Sequence, residues 1–227
     1  MTQLADNLSQ VDARITAACE RFQQNRPLLL AVSKTRSAEH IRQVYELGVR
    51  HFGENYLQEA LSKQQALGDL AIEWHFIGPI QSNKAKSIAE NFDWVHSVDR
   101  AKVASKLNQH CPEEKTLNIC LQVNIDDSAT KSGVSPDALT GLLSDCEPLS
   151  RLNIRGLMAI PDPGSQRQAF HHLAELLQSA RQQFPHLPLD TLSMGMSGDL
   201  EAAIAEGSSI VRVGTDIFGP REPRRPD

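Results

Sequence analysis

Leu28-Leu29-Leu30-Ala31-Val32-Ser33, residues 28–33, is an unbroken apolar run that begins after Pro27 and ends at Lys34. An alternating run would give a strand with one wet face. A continuous one of this length predicts a strand covered on both faces, as in a parallel sheet. Upstream, Leu4, Leu8, Val11, Ile15, Cys19 and Phe22 recur at steps of three and four, which predicts an amphipathic helix stopped by Pro27. Downstream, strand and helix alternate. Residues 49–53, 74–77, 94–98, 117–125, 154–160, 192–194 and 210–213 read as strands. Helical periodicity fills the gaps, with Asp99 as an N-cap, Pro136 in a first turn, and the longest helix over 165–184. Eight such units in 227 residues fit an α/β fold of the closed (β/α)8 TIM type, with an extra N-terminal helix. No Pro-, Gly- or Ser-rich linker and no repeat divides the chain. Residues 1–227 are therefore expected to form a single domain, with a disordered tail at 221–227.

The composition, 40% hydrophobic and 22% charged, is that of a soluble globular protein, and 5% aromatics predict an aliphatic core. A net charge of -5 argues against a general attraction to nucleic acid or anionic membranes. Cys19, Cys111, Cys120 and Cys146 form no Cys-x-x-Cys pair, so they read as reduced thiols of a cytoplasmic protein. The N-terminus lacks a basic segment followed by an apolar one, and no run approaches the length of a membrane span.

A barrel of this kind gathers its functional groups at the C-terminal ends of its strands. Lys34, Glu54, Asn55, Gly78, Ser97, Asn124, Met158 and the segments around Ser193 and Arg212 all fall there. Lys34 has two readings: a solvated lysine closing a strand, or a desolvated amine free to form a Schiff base. Gly195, Ser197 and Gly198 precede a short helix, where backbone N–H groups and a hydroxyl can hold phosphate. Arg212 stands inside the apolar strand Val211-Arg212-Val213, followed by Gly214 and Thr215. Its charge needs a partner, either an acidic residue in the barrel lumen or a bound ligand. An amine and an anion cradle on one rim suit a phosphate-bearing aldehyde held covalently, which is the chemistry of pyridoxal phosphate.

The histidines give no metal site on this reading. His171 and His172 diverge on a helix, and His51, His75 and His96 lie in strands without a carboxylate or cysteine at ligand spacing. Lys84, Lys86, Arg100, Lys102 and Lys106 read as solvated helix faces.

The motifs Ala31-Val32-Ser33-Lys34, His51-Phe52-Gly53-Glu54-Asn55, Trp74-His75-Phe76-Ile77-Gly78, Gln81-Ser82-Asn83-Lys84, Arg155-Gly156-Leu157-Met158 and Ser193-Met194-Gly195-Met196-Ser197, with residues 211–219, resemble the pyridoxal phosphate homeostasis protein family. That family is similar to the N-terminal barrel of alanine racemase. The resemblance implies that Lys34 carries pyridoxal 5′-phosphate as a Schiff base, and that Ser197, Gly214 and Thr215 hold its phosphate. It further implies that Arg212 meets the pyridine nitrogen, Asn55 lies near the ring oxygen or Schiff base, and Met194 and Met196 pack at the ring edge. Lys131 would be a secondary binding or transfer group, or else an exposed loop lysine. Arg36 stands where part of the family has a second lysine, and it cannot form such a bond.

A guanidinium has no acceptor, so a pyridine nitrogen facing Arg212 stays unprotonated and the cofactor is a poor electron sink. Racemisation also needs a second acid/base group, which alanine racemase takes from a tyrosine of its partner subunit. The expected barrel lacks the C-terminal β-domain of alanine racemase, and Tyr45 and Tyr56 are its only tyrosines. These points favour a monomeric, non-enzymatic carrier that buffers pyridoxal phosphate in vitamin B6 and amino-acid homeostasis and delivers it to apo-enzymes. A weak type III amino-acid racemase is the alternative.

Overall fold

The computed structural model describes residues 2–126, 128 and 130–220, so the expected tail at 221–227 lies outside the described residues. After α1 (Gln3–Phe22) come β1 (Leu28–Val32), α2 (Ala38–Glu46), β2 (His51–Glu54), α3 (Leu57–Ala66) and β3 (Glu73–Phe76). There follow α4 (Ala85–Asn91), β4 (Trp94–Val98), α5 (Ala101–His110), β5 (Leu117–Gln122), α6 (Leu139–Cys146) and β6 (Leu152–Met158). The chain continues with α7 (Gln166–Gln183), β7 (Thr191–Ser193), α8 (Leu200–Ala205), β8 (Ile210–Val213) and α9 (Thr215–Phe218). The eight strands are parallel and close into a barrel in chain order. This is the (β/α)8 architecture predicted from the alternation.

Closure depends on the opening apolar run. β1 pairs with β8 through Leu28↔Ile210, Leu29↔Val211, Leu30↔Arg212 and Ala31↔Val213. Both faces of β1 are then covered, as an unbroken apolar strand requires. Leu30, Trp94, Cys120, Met158 and Ile210 form a compact cluster distinct from the larger core, which takes in Phe52, Leu107, Phe170 and Ile15.

The differences from the sequence reading are local. The longest helix is α1, with 20 residues against 18 in α7. Asp99 does not cap α5: Arg100 occupies the cap position, and the Asp99 carboxylate is engaged by the Arg100 guanidinium at 2.5 Å. β5 stops at Gln122 rather than reaching residue 125, because the Asn124 side chain folds the next segment back through bonds to the carbonyl and N–H of Ser128. Pro136 opens a short 3-10 turn (Pro136–Ala138) that leads into α6. No helix among the described residues is long and apolar enough to cross a membrane.

The N-terminal helix is integral to the barrel. It buries Leu4, Val11, Ile15 and Ala18 and packs on α8 and α9. Ile15 is fully buried in the main core. Ile15→Ala should therefore cost about 2–5 kcal/mol, seen as a lower urea midpoint with an unchanged slope. A midpoint like that of the parent would mean that α1 is only loosely applied.

Candidate functional site

Where the C-terminal ends of β1, β2, β7 and β8 meet, one pocket is lined by Lys34, Asn55, Ser197, Arg212, Gly214 and Thr215, with Val32, Ile77, Ile160, Met196 and Gly198 as the rest of its wall. Seven of the eight residues expected around the cofactor, Met196 included, are thus brought together. Met194 is the exception: it is fully buried in the main core, and its backbone N–H bonds the Ile210 carbonyl in the sheet. Two residues further on, past the turn at Gly195, Met196 reaches the pocket wall. Gly195 has φ +92°, and a Cβ there would lie 2.5 Å from that of Ala203, so this turn demands glycine.

Lys34 is half-buried, and its two neighbours are pinned by side chains that the sequence reading left unassigned. Lys63 on α3 is 6% exposed; its ammonium donates to the Ser33 carbonyl at 2.8 Å and to Glu54 Oε1 at 2.6 Å. The Ser33 hydroxyl donates to the same Glu54 oxygen at 2.6 Å. Glu59, also bound by Lys63, accepts the Thr35 N–H. Thr35 adopts φ +64°, a left-handed conformation that a β-branched residue takes only when its surroundings impose it. Burial raises the Glu54 carboxyl above the usual range, against the opposing pull of Lys63. One α3 lysine therefore organises the turn that presents Lys34.

On the anion side, the Ser197 hydroxyl accepts the Asp216 N–H at 3.4 Å, and its carbonyl accepts Arg14 Nη2 at 2.9 Å. Arg14 reaches over from α1 and also binds Glu201 of α8 and Asp216 of α9. The extra helix thereby ties both halves of the cradle together. Asn55 sits at the end of β2, and Gly78 passes so close that a Cβ would lie 2.1 Å from the Asn55 carbonyl oxygen. The Asn55 Oδ1 is buried and has no hydrogen-bond partner among the described residues. A buried acceptor in a pocket wall without a donor calls for a ligand that supplies one.

Arg212 is 3% exposed and meets no carboxylate among the described ion pairs, so the acidic partner in the lumen is not realised. Instead Nη1 donates to the Ser193 carbonyl at 2.5 Å and hydroxyl at 2.8 Å, and Nη2 to the Ala159 carbonyl at 3.0 Å. Burial lowers its pKa to about 10, with Asp199 opposing, which leaves it charged at neutral pH.

The remaining candidates fall outside this pocket. Lys131 lines an adjoining one that shares Asn55, Ile77 and Ile160. It is neither free nor exposed, being tied to Asp126 at 2.6 Å, Asp162 at 2.8 Å and the Ile160 carbonyl. Burial works against its charge, but the bonds to the two aspartates outweigh it and hold the ammonium above the usual lysine range. Arg36 is taken up by the carbonyls of Gly219 and Pro220. Tyr56 is 49% exposed, and Tyr45 packs against the core beneath Arg50. Neither tyrosine lines the pocket.

The strand histidines, read from the sequence as having no carboxylate at ligand spacing, are brought together with one by the strand pairing. His51, His75 and His96, on β2, β3 and β4, contact one another at 3.2 and 2.9 Å, and His96 contacts Ser193 Oγ at 2.7 Å. The His51↔Glu73 register also brings a carboxylate within 3.6 Å of His51. Only the strand pairing reveals this, since residues 51 and 73 are far apart in sequence.

The alanine racemase N-terminal domain family matches residues 7–222. The chain is 51% identical to the pyridoxal phosphate homeostasis protein of Pseudomonas aeruginosa, over 98% of this chain and 97% of that one. It is 46% identical to the protein of that name from Escherichia coli, over 98% of both. The structure of PipY from Synechococcus elongatus with PLP bound superposes with a TM-score of 0.85 at 38% identity, over 96% of this chain and 100% of that chain. Alanine racemase from Corynebacterium glutamicum shares the fold, with a TM-score of 0.70 at 16% identity, over 99% of this chain and 62% of that chain.

Two outcomes follow. Removing one partner of the buried Lys63–Glu54 pair strands a charge, so Lys63→Ala should cost about 3–5 kcal/mol in denaturant titration. The second outcome concerns pH. Burial first, then neighbouring charge, drives native His96 down to about 3 and His75 well below its ordinary value. The unfolded chain takes up these protons below about pH 6.5 while the native state refuses them. Stability is thus complete above that pH and falls by about 1.4 kcal/mol per unit per histidine as pH drops. His96→Asn should flatten the slope of a pH series of urea midpoints.

Proposed function

The chain belongs to the pyridoxal phosphate homeostasis protein family, and we propose that it is a non-catalytic holder of pyridoxal 5′-phosphate. In this reading it keeps the reactive aldehyde bound at Lys34 as a Schiff base, buffers the free pool in the cytoplasm, and delivers it to apo-enzymes as a monomer. The observation that carries the reading is the make-up of one pocket. A half-buried lysine shares it with the hydroxyls and backbone of Ser197, Gly214 and Thr215 and with a buried arginine.

The residues suit the cofactor. Its aldehyde supplies an electrophilic carbon to which a lysine amine can bond. Lys34 is presented for that bond by the turn fixed through Ser33 and Thr35. Ser197, Gly214 and Thr215 hold the phosphate, and the orphaned Asn55 Oδ1 accepts a hydrogen bond from the ligand. Arg212 faces the pyridine nitrogen as a pure donor and keeps it unprotonated. Lys131, locked between two aspartates, serves as electrostatic lining for the adjoining pocket and not as a second covalent anchor.

The same features argue against turnover. An unprotonated pyridine withdraws electrons weakly. Two-base racemisation needs an acid/base group opposite the lysine, and neither Tyr45 nor Tyr56 lines the pocket.

Purified protein mixed with pyridoxal phosphate should develop a visible absorption band that Lys34→Ala abolishes. A colourless mixture, or a band that survives the substitution, rejects Lys34 as the anchor. With the cofactor bound, α-protons of a panel of amino acids in deuterated water should exchange far more slowly than about 1 per second. Exchange at enzymatic rates would make the protein a racemase.

A further inference from the structure

We propose that His96 is a positioning residue for Arg212. It acts through Ser193 at the inner end of a hydrogen-bond wire, His51–His75–His96–Ser193, whose polarity is fixed in one sense. Only the last arm of the test below rests on the pyridoxal phosphate reading.

The wire runs from half-exposed His51 on β2 through fully buried His75 on β3 and His96 on β4, then to Ser193 on β7. Its links are His51 Nδ1 to His75 Nε2 at 3.2 Å, His75 Nδ1 to His96 Nε2 at 2.9 Å, and His96 Nδ1 to Ser193 Oγ at 2.7 Å. Arg212 Nη1 closes it at 2.8 Å from the same oxygen. Three imidazoles and a hydroxyl, next to the apolar cluster of Leu30, Trp94, Cys120, Met158 and Ile210, must satisfy one another.

The direction follows from Arg212. A guanidinium can only donate, so the Ser193 oxygen accepts from it and the hydroxyl hydrogen must go elsewhere. Among the described contacts, the one acceptor offered to that hydrogen is His96 Nδ1. The hydrogen of His96 is then on Nε2 and points to His75 Nδ1. His75 in turn carries its own on Nε2 and gives it to His51 Nδ1. The outer end agrees. Glu73 Oε2 stands 3.6 Å from His51 Nδ1, beyond hydrogen-bond range, while Oε1 accepts the Trp94 indole N–H at 2.6 Å. An Nδ1 that accepts from His75 has no hydrogen for that carboxylate. The reverse polarity would leave the buried Ser193 hydroxyl hydrogen without an acceptor.

Every imidazole in this arrangement turns its lone pair toward Arg212 and its N–H away. Aligned links polarise one another, so the wire presents a negative end to the guanidinium without a formal anion. Arg212 keeps its charge and its plane, and no carboxylate among the described ion pairs competes for it. Burial of His75 and His96 disfavours protonation, which would put a hydrogen on every ring nitrogen and break the single sense.

The test begins on ligand-free, 15N-labelled wild-type protein, by long-range proton–nitrogen correlation spectra of the histidine side chains at neutral pH. His75 and His96 should both be fixed Nε2–H tautomers. An Nδ1–H form at either residue, or a rapidly exchanging mixture, overturns the wire whatever the cofactor does. The second arm compares His96→Leu with His96→Asn, whose amide oxygen can still accept from Ser193. In the leucine variant, pyridoxal phosphate affinity should weaken about tenfold with a displaced absorption band. The asparagine variant should recover most of both. Wild-type binding by His96→Leu would refute the positioning role while leaving the cofactor reading intact.

Discussion

A charged guanidinium buried in a barrel, with no carboxylate partner among the described residues, is the constraint from which the rest of this structure follows. Arg212 enters the lumen because β8 pairs with the apolar strand β1, opposite Leu30. Two backbone carbonyls and one hydroxyl then share its charge. A carboxylate beside it would give a stronger ion pair, but it would also absorb the donors that face the pocket. Neutral acceptors keep the arginine in place and leave its charge available to a ligand. The cost of burying it is met by neighbouring dipoles, and that in turn dictates a polar thread through the lumen.

The second half of the site is solved differently. Lys34 stands on a turn whose geometry is enforced from outside the pocket, by a buried lysine and two glutamates bridging β1, β2 and α3. The strained Thr35 is held by the network, so the amine is presented by a rigid support. Across the pocket, Arg14 of the N-terminal helix clamps α8 and α9 and holds the Ser197 carbonyl. The helix that precedes the barrel is thus part of the site's scaffold, and the β1–β8 pairing joins the two halves.

Much of this was legible in the chain. The unbroken run at residues 28–33, the repeated alternation and the small-residue turns located the barrel, its closing strands and the polar residues of the pocket. What was not legible depended on pairing or on facing. Met194 and Met196 are two residues apart and equally apolar, and only the Gly195 turn decides that one enters the core and the other lines the pocket. His51, His75 and His96 showed no carboxylate at ligand spacing because their contacts come from strand register, as does the approach of Glu73. Lys63 resembled any surface lysine of an amphipathic helix. Its burial is set by Glu54, whose own position at a strand end gave no hint of a partner nine residues away. Asp99, with cap chemistry suited to α5, was diverted by the adjacent arginine.

Lys34, at the mouth of this barrel in one pocket with Ser197, Gly214 and Thr215, is the residue proposed to anchor the aldehyde. Borohydride reduction of the protein after mixing with pyridoxal phosphate, followed by mass mapping of its peptides, reads that bond directly. At one equivalent of cofactor the reduced adduct should sit on Lys34. An adduct on Lys131, one spread over surface lysines, or none at all would overturn the assignment of Lys34.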